Sequence, residues 1–335
     1  MKKANAWQLA HPWKPEDRNW IRATWYTGVT AAYAATGDED YLRQSLTWAE
    51  KYQWQPGDEA SGANVLACGQ TYLELWLLRP EAKRIGPLVA WLNLGADNTP
   101  SGAKVWYKEG GRRYADSLFV APPTLAMLAR ATSDHKYLDW MNAFYWDVYA
   151  ELFDRHEGLF YRDARFIGAN TKNGCKVIWS RGNGWVFAGL PRILHYLPKG
   201  EPGRDRYEAL FKTMAAAIAA RQGKDGLWRS NLADPDEFPM PETSGTGFFI
   251  YGLGWGVREG VLDPTAYLPV VKKAWVGLAG CVSEEGKVQW GQTVGDRPAA
   301  VQREDTHEYV TGAFLLAGSQ VFRLATNGLI GEPAR

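Results

Sequence analysis

The sequence predicts an all-α protein built as an (α/α)6 barrel, a toroid of six helical hairpins with short β-hairpin loops on one rim. Two kinds of helical segment alternate along the chain. Segments of the first kind are apolar on nearly every face and must be buried all round, whereas those of the second kind carry charges on one face. Two concentric rings of helices, one inner and one outer, bury both kinds as their patterns require.

The segments that are apolar all round are the predicted inner helices. Their many alanine and glycine residues allow neighbouring helices to approach closely. They lie at roughly 23–36, 66–78, 117–131, 184–197, 245–259 and 310–324. Six inner helices predict a closed ring of six hairpins.

The amphipathic segments are the predicted outer helices, and they lie at roughly 39–52, 80–93, 134–151, 203–222 and 264–280. Three of them begin alike, because Asp38, Asp134 and Asp263 each precede a Tyr–Leu pair and can cap the helix. The missing twelfth helix is expected before about Asn19, with part of it truncated upstream. We expect one catalytic domain over residues 1–335.

The loops that lead from outer to inner helices carry the functional prediction. They are long and contain glycine-rich aromatic pieces at 157–161, 225–228 and 285–290, which are typical of short hairpins and turns. Long loops on one rim would form a cleft over the barrel axis. We therefore expect functional side chains, Trp25 and Asn64 among them, at the N-terminal ends of the inner helices.

Composition excludes several classes of protein. The chain has 38 Lys and Arg against 37 Asp and Glu, so its net charge of +1 favours neither nucleic acid nor a membrane surface as partner. Its three cysteines lack the spacing of a zinc site or disulfide framework. No metal or organic cofactor is implied. The first residues lack the apolar region of an intact signal peptide, so we expect a cytoplasmic protein, or a periplasmic one whose signal was removed.

The stretch at residues 179–185, WSRGNGW, is the most informative one in the chain. The indoles of Trp179 and Trp185 offer flat faces for sugar rings, and Arg181 can hold a carboxylate with its two-pronged guanidinium. Asn183 adds a carboxamide. The stretch therefore indicates a pocket for an acidic sugar, and the alternative is a buried Trp–Arg corner at a helix start.

Three carboxylates are candidates for chemistry. Asp116 precedes an apolar helix and is the candidate proton donor, with desolvation raising its pKa, although such a residue can also be a simple helix cap. Glu242 has the same two interpretations. Asp163, beside Arg162 and Arg165, is either part of the site or a surface ion pair. His156 and His307 lack metal-ligand partners and are predicted to be structural.

Several segments, taken in order over about residues 7–324, resemble the unsaturated uronyl hydrolases. The resemblance is to unsaturated rhamnogalacturonyl hydrolases of glycoside hydrolase family 105 and to their relatives in family 88, which are (α/α)6 barrels. The segments that carry it are CGQTYLEL at 68–75, DSLF at 116–119, WSRGNGW at 179–185, DGLW at 225–228, PETSG at 241–245 and GAFLLA at 312–317.

The resemblance implies removal of a 4,5-unsaturated uronic acid from the non-reducing end of oligosaccharides that polysaccharide lyases release. A carboxylic acid protonates C4 of the vinyl ether, water adds at C5, and the resulting hemiketal opens to release the attached sugar. The family's proton donor matches Asp116, and its binding residues match Trp179, Arg181 and Trp185. The chain departs from the family at Asn64, where an acid is usual.

A second departure concerns Arg162 and Asp163, which stand where the family often has a histidine. An inverting glycosidase acting on a saturated substrate, with Asp116 and either Glu242 or Asp163 as its two carboxylates, is one alternative. A sugar-binding homologue without catalysis is the other. The partner expected in all three cases is an oligosaccharide, acidic in the favoured one, and the oligomeric state is left open.

Overall fold

The computed structural model describes residues 1–14, 17–57, 62–93 and 113–330, and within them the protein is almost entirely helical. The helices are α1 Lys2–Ala10, α2 Trp20–Thr36, α3 Glu39–Lys51, α4 Ala67–Leu78, α5 Gly86–Asn93, α6 Ser117–Val120, α7 Pro122–Thr132, α8 Lys136–Leu152, α9 Ser180–Tyr196, α10 Arg204–Ala219, α11 Thr243–Arg258, α12 Pro264–Gly280 and α13 Glu308–Thr326. The predicted inner and outer segments each correspond to one of these helices, apart from one inner segment that is broken in two.

The inner helices form a closed ring in the order α2, α4, α7, α9, α11 and α13, with α13 packing back onto α2. Around it, α3 packs on α2, α8 on α7, α10 on α9, and α12 on α11 and α13. Helix α1 precedes Asn19, as the predicted twelfth helix should, and packs on α13. This arrangement confirms the (α/α)6 barrel.

One inner helix differs from its prediction. The segment expected to be a single helix over 117–131 is divided into α6 and α7, which meet at Ala121. Pro122 and Pro123 follow the break and begin α7. Because proline lacks a backbone N–H and its ring clashes with the preceding turn, two consecutive prolines interrupt the helix at this point.

The predicted caps and rim hairpins are present. Asp38 accepts a hydrogen bond from the Asp40 backbone N–H, and Asp263 accepts one from Thr265, so each caps its outer helix. The rim carries a short antiparallel pair, β1 (Phe153–Asp154) with β2 (Leu159–Phe160). These loops lie where the predicted outer-to-inner connections enter the ring.

Buried apolar side chains form one continuous cluster that extends from Ala4 to Ile330. The inner helices supply most of it, because they are buried on all sides. Within the described residues, none of the helices is long and apolar enough to cross a membrane.

Candidate active site

A cavity of about 310 Å³ opens at the N-terminal ends of the inner helices. Its lining comes from the starts of α2, α6 and α9 and from the loops that precede α4 and α13. The lining residues are Trp20, Asn64, Tyr114, Asp116, Val120, Arg162, Trp179, Arg181, Trp185, Val294, Gly295 and Asp296. The structure therefore brings six of the ten predicted site residues to one cavity, at the predicted end of the ring.

Asp116 stands at the N-cap position of α6, yet its side chain makes no capping hydrogen bond. Its Oδ2 accepts a hydrogen bond of 3.2 Å from Nε of Arg162. Its Oδ1 is buried and has no hydrogen-bond partner among the described residues. Helix capping, the alternative interpretation of this residue, therefore does not account for Asp116.

Burial raises the pKa of Asp116 above its ordinary value, and this effect outweighs the opposing charge and hydrogen bond of Arg162. A carboxyl group with a raised pKa holds its proton to higher pH. It can then donate that proton to a substrate, which is what general acid catalysis requires.

A short backbone pairing holds Arg162 beside Asp116. Tyr114 and Asp163 form an antiparallel bridge, and the Ala115 N–H donates to the Arg162 carbonyl at 2.8 Å. The Arg162 guanidinium also lies over the Tyr114 ring, 5.1 Å from its centroid. The rim loop that carries Arg162 is thus fixed against the segment that carries Asp116.

Asp163 does not line the cavity, which corrects its assignment as a substrate contact. Its side chain is 1% exposed and accepts hydrogen bonds from Arg162 at 2.9 Å and from Arg165 at 2.8 and 2.6 Å. These partners lower the pKa of Asp163 even though its burial acts to raise it. Asp163 is a buried anion that orients two arginines and is more than a surface ion pair.

Arg181 is a buried cation in the cavity wall. Its guanidinium lies between two aromatic rings, 4.5 Å from the centroid of Trp179 and 4.9 Å from that of Tyr309. Its Nη1 donates to the carbonyl of Gln292 at 2.6 Å, and Nη2 donates to that of Thr293 at 2.9 Å. Among the described residues no carboxylate forms an ion pair with Arg181, so its positive charge is balanced only by carbonyl oxygens and aromatic rings.

Three indoles supply the aromatic wall. Trp179 is 1% exposed and its Nε1 donates to Oε1 of Gln292 at 2.7 Å, which fixes the plane of its ring. Trp185 packs edge-on against Trp20 at 5.9 Å. Trp20, which the sequence analysis did not select, is half-buried and therefore presents the most accessible of these rings.

Trp25 is not in the cavity, and its assignment to the site is corrected. Its ring is 2% exposed and its Nε1 donates to Asn5 in α1 at 2.9 Å. The helix begins at Trp20, with Asn19 as its cap, and thus earlier than the predicted start near residue 23. Trp20 therefore takes the position that the sequence analysis gave to Trp25.

The assignment of Asn183 and Glu242 to the substrate site is also corrected. The polar atoms of both side chains form hydrogen bonds with backbone groups. Asn183 exchanges hydrogen bonds with both backbone groups of Phe160, at 2.8 and 2.9 Å, and so fixes the rim hairpin to α9. Glu242 is fully buried and caps α11 through the N–H groups of Ser244 and Gly245, and it also accepts from the N–H of Gln292. Neither side chain lines the cavity.

The loop before α13 contributes Val294, Gly295 and Asp296, which sequence reasoning also missed. Asp296 pairs with Arg165 at 2.6 Å, so this loop is tied to the loop that holds Arg162. In the sequence, only the length and glycine content of the connection between α12 and α13 indicated that this loop could reach the cavity. Among the described residues, no three His, Cys, Asp or Glu side chains are grouped to hold a metal ion.

A buried carboxyl group with a raised pKa lies in an aromatic, cationic cavity at the mouth of an (α/α)6 barrel, an arrangement typical of carbohydrate-active enzymes. The sequence profile of Glycosyl Hydrolase Family 88 matches residues 1–325, and the chain belongs to this family. It is a glycoside hydrolase, as the resemblance of its motifs implied.

Characterised relatives and solved structures agree with this assignment. The chain is 37% identical over 344 residues to an unsaturated 3S-rhamnoglycuronyl hydrolase of Formosa agariphila, covering 97% of this chain and 90% of the relative. It is 39% identical to a protein of the same name from an Alteromonas species, covering 90% and 77%. A family 88 glycosyl hydrolase from Bacteroides vulgatus superposes with a TM-score of 0.87 at 31% identity, covering 96% of each chain.

Proposed function

We propose that this enzyme removes a 4,5-unsaturated uronic acid from the non-reducing end of lyase-generated oligosaccharides by hydrating its vinyl ether. The observation that carries the proposal is Asp116, whose pKa is raised in a cavity that also holds two arginines. A substrate with an acidic ring and a protonatable C4 carbon needs this combination of an acid and an anion-attracting wall.

Asp116 supplies the proton in the first step. Its protonated carboxyl transfers a proton to C4, and the positive charge that develops at C5 is shared with the ring oxygen. Water adds at C5, with the Asp116 carboxylate positioning it and taking up the proton that it releases. The hemiketal formed at C5 then opens, and the sugar that was attached leaves. One carboxyl group serves both proton transfers.

The two arginines of the cavity are proposed to have different roles. Arg162 already pairs with Asp116 and Asp163, so it chiefly sets the charge state of Asp116. Arg181 has no carboxylate partner among the described residues, and we assign to it the attraction of the substrate carboxylate. The rings of Trp20, Trp179 and Trp185 are proposed to flank the sugars, with Asn64 at the edge of the cavity.

The names of the two relatives suggest the sugar on the other side of the scissile bond. Both are called unsaturated 3S-rhamnoglycuronyl hydrolases, and we propose that a rhamnose-type sugar is likewise released here. The proposed partner is thus an acidic oligosaccharide and neither a nucleic acid nor a membrane, in line with a net charge of +1. The proposed compartment is the cytoplasm or the periplasm.

Replacing the proton donor tests the reaction. Asp116→Asn is expected to fold normally but to lose roughly 10²- to 10⁴-fold in turnover, the usual contribution of a general acid. The measurement is the loss of ultraviolet absorbance of the unsaturated uronyl ring, with a panel of lyase-generated disaccharides as substrates. Circular dichroism melts of both proteins serve as the folding control, and retained turnover would remove Asp116 from this role.

The same assay separates the alternatives. An inverting glycosidase would use Glu242 or Asp163 as its second carboxylate, but neither side chain lines the cavity. Turnover of a saturated uronyl disaccharide at the rate of the unsaturated one would nevertheless favour it. Binding of every lyase product without turnover would favour the sugar-binding homologue.

A further inference from the structure

A second polar cavity, of about 130 Å³, lies at the opposite end of the barrel among the C-terminal ends of the inner helices. Helix α9 joins the two ends, from Arg181 near its start to Arg192 near its end, and its 17 residues span about 25 Å. The lining of this distal cavity includes Ala34, Glu74, Arg192, Arg258, Gln320 and Arg323. None of these residues belongs to the candidate active site.

The charges around the distal cavity do not cancel. Arg192 is 4% exposed and is neutralised by Glu74, which lies 2.6 Å from its Nη2. Arg258 pairs with Glu259, at 2.7 Å through Nη2 and at 3.1 Å through Nε. Arg323 has no carboxylate partner among the described residues, and its Nη2 donates to the carbonyl of Ala34 at 2.5 Å. Within the described part of the chain, the guanidinium of Arg323 therefore forms no ion pair.

Three residues that line the distal cavity, Arg258, Gln320 and Arg323, carry polar groups without a hydrogen-bond partner among the described residues. The Nη1 of Arg258 and the Nε and Nη1 of Arg323 make no hydrogen bond to the described residues. The side chain of Gln320 is 5% exposed and makes no hydrogen bond to the described residues. Its amide Nε2 can donate to an anion, whereas its carboxamide oxygen, an acceptor, cannot. Burial lowers the pKa of Arg323, and the charge of Arg258 lowers it further, against the opposing charges of Glu259 and Glu74.

We propose that this distal cavity binds a small tetrahedral oxyanion, sulfate or phosphate, through Arg258 and Arg323, with Gln320 as a neutral hydrogen-bonding partner. The guanidinium fork suits oxyanions, because its parallel N–H groups match pairs of oxygens on sulfur or phosphorus. A cavity of 130 Å³ accommodates one such ion. The helix C-termini carry a partial negative charge that disfavours an anion, and the hydrogen bond from Arg323 to the Ala34 carbonyl offsets part of it.

Isothermal titration with sodium sulfate and with sodium phosphate, at constant ionic strength set by sodium chloride, tests the proposal on the whole protein. Saturable binding with one ion per chain is expected for the natural sequence. Arg323→Gln and Arg258→Gln should each weaken it by roughly ten-fold or more, because each removes a charge-assisted partner. Arg79→Gln is the matched control, since this arginine is 79% exposed and lies outside the cavity.

The candidate active site is also cationic, and enzyme kinetics separate it from the distal cavity. Sulfate bound at the distal cavity leaves KM for the uronyl substrate unchanged, and Arg323→Gln keeps kcat/KM within about two-fold, since RT ln 2 is only ~0.4 kcal/mol. Absence of saturable binding would overturn the proposal. So would undiminished binding in both arginine variants, or sulfate that competes with substrate.

A third titration identifies the source of the anion. A larger cavity of about 640 Å³ shares Ala34, Glu74, His195 and Tyr196 with the distal one, so a phosphate or sulfate ester has room for its organic part. Tighter binding of glycerol phosphate than of inorganic phosphate assigns the site to an ester. Equal or weaker binding assigns it to the free ion, and either result with loss in Arg323→Gln supports the oxyanion site.

Discussion

The Nε atom of Arg162 lies 3.2 Å from Oδ2 of Asp116, so the proposed proton donor is paired with a cation in the free protein. The same guanidinium also donates to Asp163 at 2.9 Å. Burial raises the pKa of Asp116 and Arg162 opposes that rise, so the protonation state of the acid depends on this contact. A substrate carboxylate entering the cavity would add negative charge near Asp116 and favour its protonated form.

Arg162→Gln should therefore move the alkaline limb of the pH profile. A general acid is active when protonated, so kcat/KM falls as the pH rises through its pKa in the free enzyme. Removing Arg162 removes the group that lowers the pKa of Asp116, and the limb should shift to higher pH. The measurement is kcat/KM across the pH range for both proteins.

Arg165→Gln is the control for Arg162, because Arg165 pairs with Asp163 and Asp296 but not with Asp116. Its variant should leave the alkaline limb in place. A limb that stays fixed in Arg162→Gln, or that moves equally in both variants, would contradict the assigned role of Arg162.

Arg181→Gln should raise KM more than it lowers kcat. The variant removes a buried cation that has no carboxylate partner in the described part of the chain, and a hydrogen-bonded charge of this kind contributes roughly ten- to hundred-fold to affinity. Steady-state kinetics with the unsaturated disaccharide measure the change. Arg204→Gln is a matched control, since its Nη1 likewise donates to two backbone carbonyls, those of Leu194 and Leu197, away from the cavity. An unchanged KM would exclude Arg181 from uronate binding.

Glu242→Gln should lower stability and spare catalysis. The fully buried carboxylate accepts bonds from the N–H groups of Ser244, Gly245 and Gln292, and charge strengthens all of them. We expect a loss of about 1–3 kcal/mol in unfolding free energy, with kcat of the folded enzyme within a few-fold. Chemical denaturation and kinetics below the transition measure the two effects. Asp263→Asn, at an exposed helix cap, should lower the unfolding free energy by less. A large fall in kcat of Glu242→Gln without a loss of stability would instead support the two-carboxylate mechanism.

His307 should make the protein sensitive to acid. Burial, followed by the charge of Arg181, lowers the pKa of His307 from 6.5 to about 4. The unfolded chain therefore binds a proton between these values that the folded one does not, and stability falls as the pH drops from 6.5 towards 4. His307→Asn removes this titration and retains an acceptor for the Glu308 N–H, which His307 now caps.

The measurement for His307 is the melting temperature of both proteins between pH 4 and 6.5, the window set by its lowered pKa. His307→Asn should lose less stability across this window than the natural sequence. His156→Asn, at a side chain that is 87% exposed, controls for the loss of a histidine as such. Parallel curves for the His307 variant and the natural sequence would contradict the prediction.

The barrel could be predicted from the sequence because burial on all faces leaves few alternatives for a helix. Residues 310–324 and 245–259 carry almost no charge, so they could only be inner helices, and α13 and α11 confirm this. The division between α6 and α7 was signalled by Pro122 and Pro123, although apolar pattern alone favoured one helix. Helix starts were harder to predict. The first inner helix was expected to begin near residue 23 but begins at Trp20, and for this reason Trp25 was assigned to the site in place of Trp20.

The candidate site was harder to predict, because a polar side chain at a helix start can either cap the backbone N–H groups of its helix or face the cavity. Asp116 and Glu242 occupy equivalent positions in sequence, yet Glu242 bonds to three backbone N–H groups and Asp116 to none in its helix. Two of those N–H groups lie in α11 itself, and the third comes from Gln292 in a loop that is distant in sequence. The same loop brings Asp296 to the cavity, and no local sequence pattern predicts this position for Asp296.

A close backbone contact between two inner helices gives the last prediction. A Cβ atom built on Gly28 in α2 would lie 2.4 Å from the carbonyl oxygen of Gly312 in α13, and one built on Gly312 would lie 2.5 Å from that of Thr24. A backbone carbonyl cannot move aside as the end of a flexible side chain can. The two helices must therefore move apart to make room for a methyl group. Gly28→Ala and Gly312→Ala should each destabilise the protein by about 1–3 kcal/mol, despite the higher helix propensity of alanine.

Gly200→Ala, at an exposed position where a Cβ meets nothing within 4 Å, should be nearly neutral. Urea denaturation measures all three, and a neutral Gly28→Ala would mean that α2 and α13 are not in backbone contact.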